Sequence, residues 1–397
     1  MDSLLNRRRM LTIGGAAVVL TPPLLALLSH SALGAADPGH DGAYAPWALL
    51  HDPALRGSPL ALVAAAALAA NPHDTQPWLF KAGTDRIEVY ADPRRRLGAM
   101  DPFLREMHLG LGCAIENAVI AAGAHGFATE VSLAAGTLAL SGTDLAPRKV
   151  ATITLRPSAG AASDPLDRAI PLRHTNRHPY RRARPLPTAL LGHLAGLTAG
   201  DDVRLVLIEP AQRPAFDSMV VSATEAIIAD AAMIADSDRW FRATPAEIEQ
   251  HRDGPTLETA GLSPWLLAMA HMAGVSPAAS HKGWLDNTRD HQLPSAPATG
   301  LIVVRQRFDT ATCLAAGRMW QRAHLVATAC GAAMQPLNQP IELVDRDLQL
   351  GRPSPWAARL AAFVGPQWQA TFAFRAGMPA QSAPPSPRRR LQDILVA

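Results

Sequence analysis

The sequence predicts an α+β protein made of two αβ halves of one design. Three observations carry that expectation. Leu111, Ile115, Ala118, Val119 and Ala122 recur at helical spacing between residues 105 and 125, and a second long helix is expected over residues 310–331. Each is preceded by a β-branched run, Arg86-Ile87-Glu88-Val89-Tyr90 and Leu301-Ile302-Val303-Val304. Both helices close on similar Gly-bearing ends, Ala121-Ala122-Gly123-Ala124-His125-Gly126 and Thr328-Ala329-Cys330-Gly331-Ala332. With 397 residues, 48% of them hydrophobic, the chain can bury a large core without disulfide or metal staples.

Residues 1–36 read as an export signal. Arg7-Arg8-Arg9 precede Met10-Leu11, an apolar run follows from Ile13 to Leu28, and the small residues 31–36 close the segment. Paired arginines ahead of an apolar run resemble the twin-arginine signal read by an export receptor, so a periplasmic or otherwise exported protein is expected. Gly14, Gly15, Pro22 and Pro23 weaken a stable spanning helix. The first half is expected over residues 37–163. It starts with an Ala-rich helix over 57–70, stopped by Asn71-Pro72, and continues through the strand 86–90 and a solvated turn, Pro93-Arg94-Arg95-Arg96. The long helix and short strands at 130–133 and 151–155 complete it. The second half, residues 164–397, should hold a helix over 187–197, strands at 203–208, 301–304 and 370–374, and a mostly helical insertion at about 224–297.

Composition excludes several functions. A net charge of +3 on this length is weak support for nucleic acid, and none is expected as a partner. Lys81, Lys149 and Lys282 are the only lysines, so an anion held by a cation is held by arginine, whose planar fork suits phosphate oxygens. Cys113, Cys313 and Cys330 lie in apolar stretches without metal or redox spacing and read as buried hydrophobes. His174 and His178 have helical ligand spacing but sit among too many cations for a metal site, and no metal is expected. Gly110-x-Gly112 lacks the third glycine of a dinucleotide fingerprint.

Four segments carry chemistry: the polar loop Asn71-Pro72-His73-Asp74-Thr75-Gln76-Pro77-Trp78, the cation pair in Arg173-His174-Thr175-Asn176-Arg177, Gly317-Arg318, and Ser386-Pro387-Arg388-Arg389-Arg390-Leu391. Placed at a helix start, residues 173–177 could aim two guanidinium groups and a hydroxyl at one phosphate. The loop from Asp74 to Trp78 resembles the Asn-x-Gln-Pro-Trp motif of the FMN-binding nitroreductase family. Arg173-x-Thr175-x-Arg177 is similar to that family's Arg-x-Ser-x-Arg/Lys phosphate motif, and Arg388-Arg389 to its C-terminal basic motif.

The resemblance implies a nitroreductase-like fold with FMN as cofactor. The loop comes from the first half and the arginines from the second, as in a long fused subtype in which two halves of one chain imitate the family's dimer. It therefore implies a monomer with one composite site rather than an obligate homodimer. Arg173, Arg177, Arg388 and Arg389 would neutralise the phosphate, Thr175 would add a donor, and Thr75, Gln76 and Trp78 would lie at the ring. No side chain need act as a catalytic nucleophile, because the flavin carries the chemistry. Asp74 stands where the family has Asn, and an ionised carboxylate accepts but cannot donate. Facing the flavin O2/N1 edge it would lower the reduction potential or require a proton, whereas facing N3–H it would be benign. The expected function is electron transfer through flavin N5 to a nitro, quinone or similar small acceptor. NAD(P)H is an open question as donor, since no substantial pool exists outside the cytoplasm. The alternative is a flavin-sequestering protein whose insertion covers the ring.

Overall fold

The computed structural model describes residues 10–13, 16–19, 42–158 and 160–396. The export-signal expectation lies outside these residues except for two short paired strands, β1 (Met10–Ile13) and β2 (Ala16–Val19).

The α+β class is what the chain adopts. The first sheet contains β3 (Trp78–Ala82), β4 (Arg86–Ala91), β5 (Phe127–Leu133) and β6 (Arg148–Pro157), in the order β3-β4-β6-β5. The second contains β7 (Thr198–Ala199), β8 (Val203–Leu207), β9 (Ala298–Val304), β10 (Ala333–Pro336) and β11 (Gln369–Gly377), in the order β10-β11-β9-β8-β7. All pairings within both sheets are antiparallel. Setting the two-residue β7 aside, the second sheet repeats the order of the first. The largest buried apolar cluster reaches from Trp47 to Ile394 and draws on both sheets.

Three helices position the site. α1 (Pro59–Ala67) starts on a proline and carries mostly alanine, so its neighbours approach closely. α2 (Arg105–Ala122) joins β4 to β5, and the Asp101 carboxylate caps it by accepting from the amides of Glu106 and Met107 at 3.0 and 2.9 Å. α3 (Thr310–Ala329) occupies the same place between β9 and β10, capped by Asp309 accepting from Thr312 N–H at 2.7 Å.

α2 and α3 cross where each puts a glycine against the other's leucine carbonyl. A methyl group at Gly112 would overlap the Leu314 oxygen, and one at Gly317 the Leu109 oxygen. Glu116 binds Arg318 at 2.8 Å and Arg322 at 2.5 Å across this crossing, and Arg322 also reaches Asp164 at 3.2 Å. Gln321 donates to Asn117 at 2.7 Å and accepts from Ala70 N–H at 3.1 Å, which ties the crossing to the loop that follows α1. Gly112→Ala is expected to cost about 1–3 kcal/mol in urea unfolding, because backbone rather than a flexible side chain must yield.

The structure differs from the sequence reading in several places. Helices Gln339–Gln349 and Pro355–Val364 and strands β3 and β10 had no sequence expectation. The turn at Pro93–Arg95 is not simply solvated: Arg95 reaches the Thr75 carbonyl and the Asp253 carboxylate. Residues 224–297 are mostly helical, in a run that begins within Arg213–Ala229 and continues through several short helices.

Candidate functional site

The loop after α1 is organised by Asn71. Its Oδ1 accepts from Gln76 N–H at 2.7 Å, and its Nδ2 donates to the Ala69 carbonyl and to Asp74 Oδ1, both at 3.2 Å. His73, Asp74 and Gln76 all take left-handed backbone angles, φ 45°, 48° and 49°. Such angles are uncommon for residues other than glycine and persist where surroundings over-determine them. One such constraint is Gly110 of α2, where a Cβ would come within 2.9 Å of Pro72. Trp78 begins β3 and is fully buried in the core, so it anchors the loop.

Arg173–Arg177 does not start a helix. The segment is extended, lies between a 3-10 turn ending at Leu172 and Tyr180, and precedes the next helix, Thr188–Ala195, by many residues. Pro171, Pro179, Pro185 and Pro187 explain this, since each lacks a donor and biases the residue before it away from helix.

The extended segment nevertheless delivers its arginines to the loop. Arg173 is 2% exposed and donates from Nη2 to the Leu68 carbonyl at 3.0 Å; its Nε has no partner, and it forms no salt bridge among the described residues. Burial and then the like charge of Arg388 push its pKa down to about 10. Arg388 comes from the far end of the chain. It binds Asp74 Oδ1, Ser386 Oγ at 2.6 Å and the carbonyls of Pro387 and Ala69 at 2.9 and 3.3 Å, leaving Nε unpartnered. Its guanidinium lies 4.9 Å from the centre of the Trp47 ring, which also meets His174 at 4.6 Å. Arg177 donates to the Thr259 carbonyl at 3.0 Å, and Thr175 is half-buried between the two arginines in sequence.

Asp74 Oδ2 and Thr75 Oγ1 are buried without partners. Burial pushes the Asp74 carboxyl up to about 6 against the pull of Arg388. The nearby histidines are neutral: burial, then Arg177, lowers His73 to about 4, and burial, then Arg173, lowers His174 to about 3. His324, completely buried in α3 and pushed far down by burial and Arg173, leaves both ring nitrogens unpartnered. The charge of the site is therefore that of three arginines and one carboxylate.

Gln76 and Arg389 are turned to another task. Gln76 Nε2 donates to the carbonyls of Arg252 at 2.9 Å and Pro387 at 3.3 Å, while Oε1 accepts from Arg389 N–H at 2.7 Å. The Arg389 guanidinium reaches the Gln76 and Trp78 carbonyls, both at 3.3 Å. Val396 N–H donates to the Phe80 carbonyl at 2.9 Å, extending this seam along β3. Both side chains thus bind the tail to the loop, and Gln76 shares the Pro387 carbonyl with Arg388.

Residues 252–261 of the insertion lie over the arginines. Gly254 N–H donates to the Asp74 carbonyl at 3.2 Å, Asp253 binds Arg95 and Arg242, and a methyl group at Gly261 would overlap the Arg177 backbone. Beside this cover is a cavity of about 540 Å³ lined by Ala43, Tyr44, Ile248, Glu258, Pro384 and Pro385. Burial, Glu258 and Asp74 push the Tyr44 phenol up to about 12. Trp47, Tyr44, His324 and the insertion's backbone were not foreseen from sequence. Each is a lone residue or a main-chain group without motif spacing. Among the described residues, no group of three or more His, Cys, Asp or Glu could hold a metal ion.

No family model matches the chain. Two Mycobacterium tuberculosis proteins, from strains H37Rv and CDC 1551 / Oshkosh, are each 24% identical to it over 332 residues, 81% of this chain and 86% of theirs. Both are provisionally named NAD(P)H nitroreductases. The likeness is to nitroreductases. Among solved structures, the FMN- and NADPH-dependent nitroreductase NfnB from sphigopyxis sp. strain HMH aligns with 58% of this chain and 98% of its own, at 16% identity and a TM-score of 0.35. The FMN-dependent nitroreductase NfnB from Mycobacterium smegmatis, in complex with NADPH, aligns with 57% and 95%, at 15% identity and a TM-score of 0.34.

Proposed function

We propose that this chain is an exported FMN-binding oxidoreductase that passes electrons to a nitro, quinone or similar small acceptor. The observation that carries the reading is Arg173, a buried cation with an unpartnered Nε and no carboxylate of its own among the described residues, set beside Arg388 with its unpartnered Nε. A buried charge without a partner is costly, and a phosphate would supply the missing acceptors. The relatives' name, NAD(P)H nitroreductase, agrees with that chemistry.

In this reading Arg173, Arg177 and Arg388 hold the phosphate, with Thr175 as a neutral donor. Thr75 Oγ1 is a polar atom left for a ring edge, since Gln76 is engaged by the tail. FMN, when bound, supplies two-electron transfer at N5. The protein's part is to bind, orient and shield it. The repeated strand order and reciprocal crossing of α2 with α3 support reading residues 37–163 and 164–397 as halves that imitate a dimer around one site. The arginine-led residues 1–36 support export.

A second reading, flavin sequestration with little turnover, is favoured by the cover over Asp74 and Arg177 from residues 252–261. Purified full-length protein should show an FMN absorption spectrum at about one flavin per chain. A colourless protein that fails to take up added FMN overturns both readings. Anaerobic stopped-flow mixing with NADPH and NADH separates them: rapid bleaching supports the oxidoreductase, and inertness supports sequestration.

A further inference from the structure

Asp74 is the carboxylate bound to Arg388. The remaining acceptors of that guanidinium are neutral: the Ser386 hydroxyl and the carbonyls of Pro387 and Ala69. The pair is secluded, with the Arg388 side chain 2% and the Asp74 side chain 11% exposed. Asp74 reaches its place through a left-handed backbone conformation, fixed by the Asn71 side chain on one side and by Gly254 N–H on its own carbonyl. Its second oxygen has no partner. An arginine whose buried counter-charge makes incomplete use of its hydrogen-bonding capacity can exchange that partner for one with more oxygens.

We propose that Asp74 is a resident counter-anion occupying the seat that Arg388 offers to a phosphate monoester, and that the ligand binds by displacing it. The identity of the ligand as FMN rests on the function proposed above; the seat itself does not. Asp74 therefore sets affinity from the opposite direction to the arginines. It keeps Arg388 paired when no ligand is bound and opposes the entering phosphate while it remains charged.

The charged and titratable groups around Asp74 come from every neighbouring element. Arg388 lies on the tail, Arg173 and Arg177 on the extended segment, Asp253 on the insertion, Tyr44 on the N-terminal turn and His73 on the loop itself. Of these, Asp74 is the group brought nearest to neutral pH, with burial raising it to about 6. Above that pH it is a carboxylate and competes with phosphate. As the pH falls through 6 it takes up a proton, releases its hold on Arg388 and ceases to compete. Phosphate monoesters lose their own second charge in the same region, so Asp74→Asn is the reference that cancels the ligand's titration.

The experiment titrates FMN by flavin fluorescence, and inorganic phosphate by calorimetry, into wild type, Asp74→Asn and Asp74→Ala from pH 5 to 8. Thermal unfolding is followed to verify the fold of each variant. Removing the competitor should tighten both ligands roughly ten- to a hundredfold at pH 8, the scale of one charge-assisted contact, with the gain shrinking towards pH 5. Wild type should also take up more protons on binding at pH 7 than Asp74→Asn does, read from calorimetry in two buffers of different ionisation heat, since the ligand's own proton release is common to both. Unchanged or weaker binding in folded variants, or the same proton balance in wild type and Asp74→Asn, overturns the inference. The two proposals fail separately. Phosphate gained by Asp74→Asn with FMN bound by neither protein removes the flavin and keeps the seat, whereas FMN bound equally by both does the reverse.

Discussion

Arg173→Ala weakens FMN binding by about 1.5–3 kcal/mol, yet leaves the thermal unfolding midpoint of the flavin-free protein unchanged or raised. The combination follows from the site's electrostatics. Among the described residues the Arg173 side chain has one hydrogen bond, to the Leu68 carbonyl, and is buried beside Arg388. Removing an unpaired buried cation relieves desolvation and like-charge repulsion in the empty protein, while the ligand loses a charge-assisted contact. Arg388→Ala should behave oppositely in the flavin-free state, because it leaves the Asp74 carboxylate without its cation. Equilibrium fluorescence titration and differential scanning calorimetry read the two quantities. A fall in stability with unchanged FMN affinity in Arg173→Ala would make this residue structural.

Glu116→Ala carries the largest expected loss of stability, about 3–5 kcal/mol in urea unfolding. Glu116 is fully buried and answers two buried arginines, Arg318 and Arg322, and only Arg322 has a second carboxylate in Asp164. The pair attraction in such networks does little more than offset desolvation, so the cost comes from stranding the partners. Replacing Glu116, Arg318 and Arg322 together with apolar residues of similar volume should recover much of the loss. If the single variant loses less than about 1 kcal/mol, water reaches the crossing and the network is not dry.

Much of the fold was legible because its signals are local. The periodicity of residues 105–122 and the β-branched runs before and after it are set by which side chains must face a core, and those elements appear within a few residues of expectation. β10 and the helix Gln339–Gln349 were not, since Pro336 and Pro340 punctuate them and their order comes from packing against β11 and its neighbours. The site divides along the same line. Spacing singled out Arg173 and Arg177, the family resemblance marked Asp74 and Arg388 beside them, and the four side chains do come together. Residues 173–177 do not stand at a helix start, and Pro171 and Pro179 flank them. Gln76 and Arg389 were marked by the same motifs, but their partners are tail and insertion main chain, which no motif reveals. Trp47 and His324 depend on tertiary neighbours alone.

The seam between the tail and β3 also fixes when this site can exist. Asp74 and Arg388 are separated by almost the whole chain, and Gln76 holds Arg389 across a similar distance. Contacts of such separation are the slowest to gain in folding, because a long loop must close before they return any free energy. Both sheets and the α2–α3 crossing draw on residues up to Gly377, whereas the seat at Arg388 needs the tail that follows them. A polypeptide stopped short of residue 388 is therefore expected to lack the binding site even where its sheets form.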